Sequence, residues 1–229
     1  MNYRAILFDA GNTLLFLDYD RLAGAVSAST GVPLDASTLA AQAKPAAQAL
    51  ERSDTSDRER ATVYLETLFL LAGVPKAQLD IVRDTLLALH RERHLWSGHD
   101  RGTPDALERL RKAGYRLGVV SNSDGRAEEA LAAAGLRAFF EVVVDSQLVG
   151  VEKPDPRIFQ LALERLGIAA ADALYVGDIY EVDVVGARRA GMAVVLMDPL
   201  ANHAERDVTA VRSVAELADR LLTPSRGLS

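Results

Sequence analysis

Five side chains in this sequence are of types, and at places, that suggest joint chemistry: Asp9, Ser121, Lys153, Asp178 and Asp183. Asp9 ends the short apolar run Arg4 to Phe8, and Ala10 to Thr13 reads as a tight turn, because Gly and Asn accept positive φ cheaply. Ser121-Asn122 follows the apolar run Tyr115 to Val120, and Lys153 lies in the loop after Phe140 to Val144. Asp178 follows Ala173 to Val176, with Asp183 five residues further on. A carboxylate at the carboxyl end of a buried parallel strand points into the crevice where open α/β sheets bind ligands.

The chemistry that needs such a set is phosphoryl transfer. A phosphate monoester carries negative charge toward a carboxylate nucleophile, and the two repel at reaction distance. Mg²⁺ removes that repulsion when oxygen ligands hold it. Asp9 and Asp178 offer two such ligands, and a backbone carbonyl near Gly11 offers a third. Lys153 adds a positive charge, while Ser121 and backbone N–H groups offer hydrogen bonds to phosphate oxygens. Each member also has a purely structural reading. Asp9, Ser121 to Asp124, Asp178 and Asp183 are residue types that cap helices and turns, and Glu152 to Pro156 reads equally as a solvated turn.

The elements that must position these groups alternate along the chain. From Thr103 the pattern predicts a helix to about Gly114, a strand over Tyr115–Val120, and a helix from Glu128 to Ala134. It continues with a strand over Phe140–Val144, a long loop from Asp145 to Pro156, and a helix from Pro156 to Leu166. Next come a strand at Ala173–Val176, a helix over Asp183–Ala190, a strand at Met192–Met197 and a helix from about Ser213 to Leu222. Such alternation is the signature of right-handed βαβ units and a parallel sheet covered on both faces.

Between Asp18 and Gly98 the texture is different. Helical patterns cover Arg21–Thr30, Asp35–Arg52, Asp57–Ala72 with Val63, Leu65, Leu68 and Leu71, and Pro75–Arg93 with Leu79, Val82, Leu86 and Leu89. Nothing here alternates with period two. The expected architecture is therefore α/β: a Rossmann-like parallel sheet core, residues 1–17 plus 99–229, with an inserted all-helical cap domain over 18–98. An insertion directly after the first strand is expected over the carboxyl edge of the sheet, as a lid.

Composition narrows the class. Net charge is −6 and no polybasic run is present, which argues against nucleic acid or an anionic membrane as partner. There are no cysteines, so there is no thiol nucleophile or thiolate metal site. No run approaches the roughly 18 apolar residues of a membrane helix, and no signal-peptide pattern is seen, so a cytoplasmic protein is expected. Of 26 basic residues only Lys44, Lys76, Lys112 and Lys153 are lysines, which makes Lys153 in a motif-like loop conspicuous.

At this point the chain resembles the haloacid dehalogenase-like hydrolase superfamily, with all four family motifs in order. They are Phe8-Asp9-Ala10-Gly11-Asn12-Thr13-Leu14, then Val120-Ser121-Asn122, then Lys153 within Gly150 to Pro156, and Val176-Gly177-Asp178 with Asp183, running into Gly186-Ala187. The insertion is similar to the C1-type cap of subfamily I. The resemblance implies that Asp9 is the nucleophile, forming an aspartyl-phosphate. It implies a Mg²⁺ held by Asp9, the backbone oxygen of Gly11, Asp178 and Asp183. It also implies that Thr13 lies near the nucleophile, that Ser121 and Asn122 contact the phosphoryl group, and that Lys153 orders nucleophile and phosphate. The first strand is expected between the second and fourth. The implied partner is a small phosphorylated substrate, for a monomer or homodimer.

One departure matters. Phosphatases of this superfamily usually carry a second aspartate two residues after the nucleophile, which protonates the leaving group and later activates water; here Gly11 stands there. Loss of a general acid–base costs about 10²–10⁴-fold. Slow turnover of alkyl phosphates follows, with aryl and acyl phosphates favoured. Other readings are a metal-independent 2-haloacid dehalogenase, a phosphonate-cleaving enzyme using Lys44 or Lys76, and a binding protein on a hydrolase fold. His90 and His94 share a helix face at i, i+4, with His99 near, a spacing that could ligate zinc, but they read better as polar residues near the cap hinge. Trp96 reads as packing between cap and core, and Ser53 to Arg60 as a specificity loop or a plain solvated one.

Overall fold

The computed structural model describes residues 3–51, 57–199, 201 and 206–223, and the chain divides into two compact units, Met1–Phe16 with Ser97–Ser229 and Leu17–Trp96. The first unit carries strands β1 (Ala5–Phe8), β4 (Arg116–Ser121), β5 (Val142–Asp145), β6 (Ala173–Gly177), β7 (Ala193–Met197) and β8 (Ala210–Val211). They form one sheet in the order β5-β4-β1-β6-β7-β8, and every pairing is parallel. β1 is fully buried, and Phe8 pairs with Val119 on one side and Val176 on the other. A strand buried on both faces reads as a continuous apolar run, which is why Ala5 to Phe8 shows no alternation.

The chain leaves β1 for β4 and β5 on one side, then returns to β6, β7 and β8 on the other. The carboxyl end of β1 is thus the point where strand order reverses, the place where open α/β sheets bind ligands. Helices α5 (Thr103–Lys112), α6 (Ala127–Ala133), α8 (Pro156–Leu166), α9 (Val185–Arg189) and α10 (Val214–Leu222) complete the unit. Ile158, Phe159, Ala162 and Leu163 of α8 and Ala187 of α9 pack on the sheet face that presents Ala5, Leu7 and Tyr175. Helix starts follow the expected capping chemistry. Asp155 accepts from Arg157 N, with Pro156 opening α8, and Ser213 accepts from Glu216 N at the start of α10.

Two stretches depart from the expectation. Asp145 to Pro156 is not all loop: Ser146–Val149 forms the single-turn helix α7, capped by Asp145. The helix expected from Asp183 is preceded by a π-helical turn, Tyr180–Val184, and becomes α-helical only at Val185–Arg189. Single turns are too short to leave a periodic trace in sequence. The two-residue strand β8 escaped for the same reason.

The second unit is helical: α1 (Tyr19–Thr30), α2 (Ala36–Glu51), α3 (Asp57–Leu71) and α4 (Leu79–Glu92). Its core gathers Leu22, Val26, Leu39, Leu65, Leu68, Phe69, Val82 and Leu86, with Trp96 partly buried against it. On α3 the buried partner of Leu68 is Phe69, while Leu71 is exposed. The rings of His90 and His94 meet edge to face at 4.6 Å, and His94 Nδ1 lies 3.3 Å from Trp96 N. Phe16–Leu17 (β2) pairs with Trp96–Gly98 (β3) where the chain passes between the units. Of the stretch Ser53 to Arg60, Ser53–Ser56 lie outside the described residues, and Asp57 begins α3. Among the described residues no helix is long and apolar enough to cross a membrane.

Candidate active site

Asp9 follows β1 directly, and its backbone N–H donates to Val176 O at 2.8 Å, extending the ladder by one residue. The chain then turns back. Leu14 N and Leu15 N both donate to Ala10 O, and Asn12 N donates to Leu15 O at 2.7 Å. Closing so tight a turn puts Asn12 at φ +52°, a left-handed conformation that Asn tolerates better than most residues. Its side chain donates to the carboxyl of Asp178. Thr13 is buried here, with its Oγ1 lacking a hydrogen-bond partner among the described residues.

On the other side of β1, Ser121 ends β4 and is buried. The loop after it is anchored from β5. Asp145, itself buried, accepts from Gly125 N at 3.1 Å and Gln147 N at 3.0 Å through Oδ1, and from Ala127 N at 3.1 Å through Oδ2. Ser123 N donates to Ser146 Oγ at 3.1 Å. The side chain of Asn122 points across to the Lys153 loop: its Oδ1 accepts from Lys153 N at 2.8 Å and its Nδ2 donates to Lys153 O at 3.0 Å. Through these two bonds the amide clasps the lysine's backbone.

Lys153 is 2% exposed. Its Nζ donates to Asp9 Oδ1 at 2.5 Å, to Asp183 Oδ1 at 2.7 Å and to Tyr175 Oη at 3.1 Å. Asp183 reaches this point because the π-helical turn folds the chain back under β6. Its backbone N–H donates to Ile179 O at 2.7 Å, and its Oδ2 accepts from Ile179 N at 2.9 Å. Gly177 makes room: a Cβ there would lie 2.4 Å from Asp183 Cγ. Gly186 does the same on the next turn, where a Cβ would lie 3.0 Å from Pro154 Cα.

Asp9, Asp178 and Asp183 each place a carboxylate oxygen within 4.8 Å of the others. One ammonium bonds two of them, Asp9 and Asp183, and among the described residues the charge balance is short of cation. Burial first, then the charge of Asp183, lifts the Asp9 carboxyl to about 6 despite the neighbouring Lys153. Burial, Asp9 and Asp183 hold the Asp178 carboxyl well above the usual carboxylate range. Burial works against the Lys153 ammonium, but Asp183 and Asp9 beside it keep it protonated, well above an ordinary lysine. Three hard oxygen donors with too little positive charge between them fit a small divalent cation.

Asp9, Lys153, Asp178 and Asp183 are thus brought together, with Asn12 and Tyr175 joined to them. The two latter, and Asp145, were missed in the sequence. Asp145 had a readable signal, since it ends an apolar strand as Asp9 does. Tyr175 sits inside an apolar run and reads as core.

The comparisons with known proteins agree with this geometry. A family model described as haloacid dehalogenase-like hydrolase matches residues 3–191. The chain is 38% identical over 128 residues to a glyceraldehyde 3-phosphate phosphatase of Methanothermobacter thermautotrophicus, a match covering 52% of this chain and 57% of that protein. The chain thus spans little more than half the length of such curated relatives. A phosphatase of Mycobacterium tuberculosis, MT3486, is 31% identical over 211 residues, covering 86% of this chain and 88% of the relative. Among solved structures, the putative hydrolase YfnB of Bacillus subtilis bound to magnesium superposes with a TM-score of 0.68 at 23% identity, over 97% of this chain and 100% of that one, a likeness of fold.

Proposed function

This chain belongs to the haloacid dehalogenase-like hydrolase family, and we propose that it is a magnesium-dependent phosphohydrolase of small phosphorylated compounds, working through phosphoryl transfer to Asp9. The observation that carries the reading is the convergence of the Asp9, Asp178 and Asp183 carboxylates within 4.8 Å around a buried lysine. Relatives named as phosphatases support the reaction class.

Asp9, Asp178, Asp183 and the backbone oxygen of Gly11 would hold the ion, which when bound supplies positive charge to offset that of carboxylate and phosphate. The remaining work falls to the chain. Lys153 grips Asp9 Oδ1 and leaves the second carboxylate oxygen to attack phosphorus. That attack forms the Asp9–phosphate bond, breaks the ester bond and expels the leaving oxygen with its electron pair. Ser121 at the end of β4 offers its hydroxyl to the phosphoryl oxygens, and Thr13, with a buried hydroxyl that has no partner among the described residues, lies in the same turn as the nucleophile. Asn122 holds the Lys153 loop to β4. Water then cleaves the acyl phosphate and returns Asp9.

A screen of sugar, nucleotide, aryl and acyl phosphates with and without EDTA tests this. Turnover should require the metal and vanish in Asp9→Asn. Activity that survives EDTA on 2-haloacids instead would move the chain to the dehalogenase reading. No hydrolysis of any phosphate at any metal concentration would leave a binding role.

A further inference from the structure

An ammonium group has three protons, and Lys153 has three acceptors: Asp9 Oδ1 at 2.5 Å, Asp183 Oδ1 at 2.7 Å and Tyr175 Oη at 3.1 Å. The first two are carboxylates of the site already described. The third is a phenol in the middle of β6, with no exposed surface, among the apolar side chains that pack α8 on the sheet. Phenylalanine would fill the same volume there without burying a polar group. The ring is fixed by Phe159, edge-on at 4.9 Å and 79°. Its oxygen lies 3.1 Å from Val120 O, the residue before Ser121, and 3.1 Å from Asp183 Oδ1. The hydroxyl has a single proton to give, to one or the other, while it accepts from Lys153. Tyr175 therefore ties the strands on either side of β1 to the ammonium that grips the residue at the end of β1.

We propose that Tyr175 is a positioning residue for Lys153: by taking the third ammonium proton it fixes the rotation of Nζ, so that the other two are aimed at Asp9 Oδ1 and Asp183 Oδ1. Without the hydroxyl, one N–H of a buried cation loses its acceptor. The ammonium then tilts to recover one, and the grip on Asp9 loosens. The kinetic consequence rests on the phosphohydrolase reading; the hydrogen-bond geometry does not.

The experiment is Tyr175→Phe in the full chain, with lysine labelled by ¹⁵N. With Lys44, Lys76, Lys112 and Lys153 the only lysines, the Lys153 ammonium is identified as the signal lost in Lys153→Arg. In the wild type this signal should exchange slowly with water. In Tyr175→Phe exchange should be about tenfold faster, and kcat on p-nitrophenyl phosphate about tenfold lower, with KM held within about twofold. A role confined to packing would move the melting temperature and neither of these. A rapidly exchanging Lys153 signal in the folded wild type overturns the proposal before any variant is made. So does an unchanged exchange rate in Tyr175→Phe, or faster exchange with kcat intact. A rise in KM at unchanged kcat overturns it too, by making the hydroxyl a substrate contact. If the wild type hydrolyses no phosphate, the function reading fails, while the exchange comparison still decides the role of Tyr175.

Discussion

Gly177 and Asp183 compete for one space: the carboxyl carbon of Asp183 lies 2.4 Å from where a Cβ on Gly177 would stand. The π-helical turn Tyr180–Val184 delivers Asp183 into that space, where it meets Lys153 at 2.7 Å. Gly177→Ala should therefore push the acid off the lysine rather than merely crowd a core. Overpacking costs about 1–3 kcal/mol, and freeing a buried ion pair adds to it. Thermal unfolding should show a loss at or above that range, with phosphatase activity lost in the same variant; a neutral substitution would mean that the turn has another place to go.

The raised carboxyls give the metal-free protein a defined pH response. An aspartate in an unfolded chain ionises near about 3.9, whereas the Asp9 carboxyl is held at about 6 in the folded protein. Between these values the folded state keeps a proton that the unfolded state has released, so this contribution to stability is whole below the window and falls as pH rises through it. Asp178, raised by burial and by Asp9 and Asp183, adds a contribution of the same sign. A divalent cation competes with those protons. The rise in melting temperature on adding Mg²⁺ should be larger at about pH 7.5 than at about pH 5. Equal shifts at both would remove the carboxylates from the binding event.

Under the phosphohydrolase reading, position 11 should set the choice of leaving group. With glycine there, nothing at that position protonates a departing alkoxide, and rates should track leaving-group acidity: aryl and acyl phosphates far above sugar phosphates. Gly11→Asp should raise sugar-phosphate turnover by up to about 10²–10⁴-fold and flatten that dependence. Wild-type rates that ignore the leaving group would point to another acid in the protein.

Asn122 should behave as a clasp on Lys153. Asn122→Ala removes two hydrogen bonds to the backbone of a buried residue, at 2.8 and 3.0 Å, and leaves both backbone groups wanting partners. The expected cost is about 1–3 kcal/mol in denaturant unfolding, with kcat lowered and KM for p-nitrophenyl phosphate unchanged. A rise in KM alone would instead mark the Asn122 side chain as a substrate contact.

The sequence displays the sheet plainly because parallel strands are buried on both faces and leave continuous apolar runs, as at Ala5–Phe8 and Ala173–Gly177. Asp9, Ser121 and Asp178 were legible because each stands just past such a run. What connects them was not. Tyr175 is written as one more apolar residue in a strand, and its bond to Lys153 spans 22 positions. The Asn122 clasp spans 31. Asp145 was passed over because the helix it caps is a single turn, Ser146–Val149. Local pattern encodes where a side chain is delivered; which long-range partner it meets depends on strand order and register.

Every group named in the charge balance, from Asp9 and Asn12 to Lys153, Tyr175, Asp178 and Asp183, belongs to the unit formed by Met1–Phe16 and Ser97–Ser229. The helical stretch Leu17–Trp96 contributes none of them. A substitution confined to that stretch therefore replaces none of these charges and none of the hydrogen bonds that Lys153 makes.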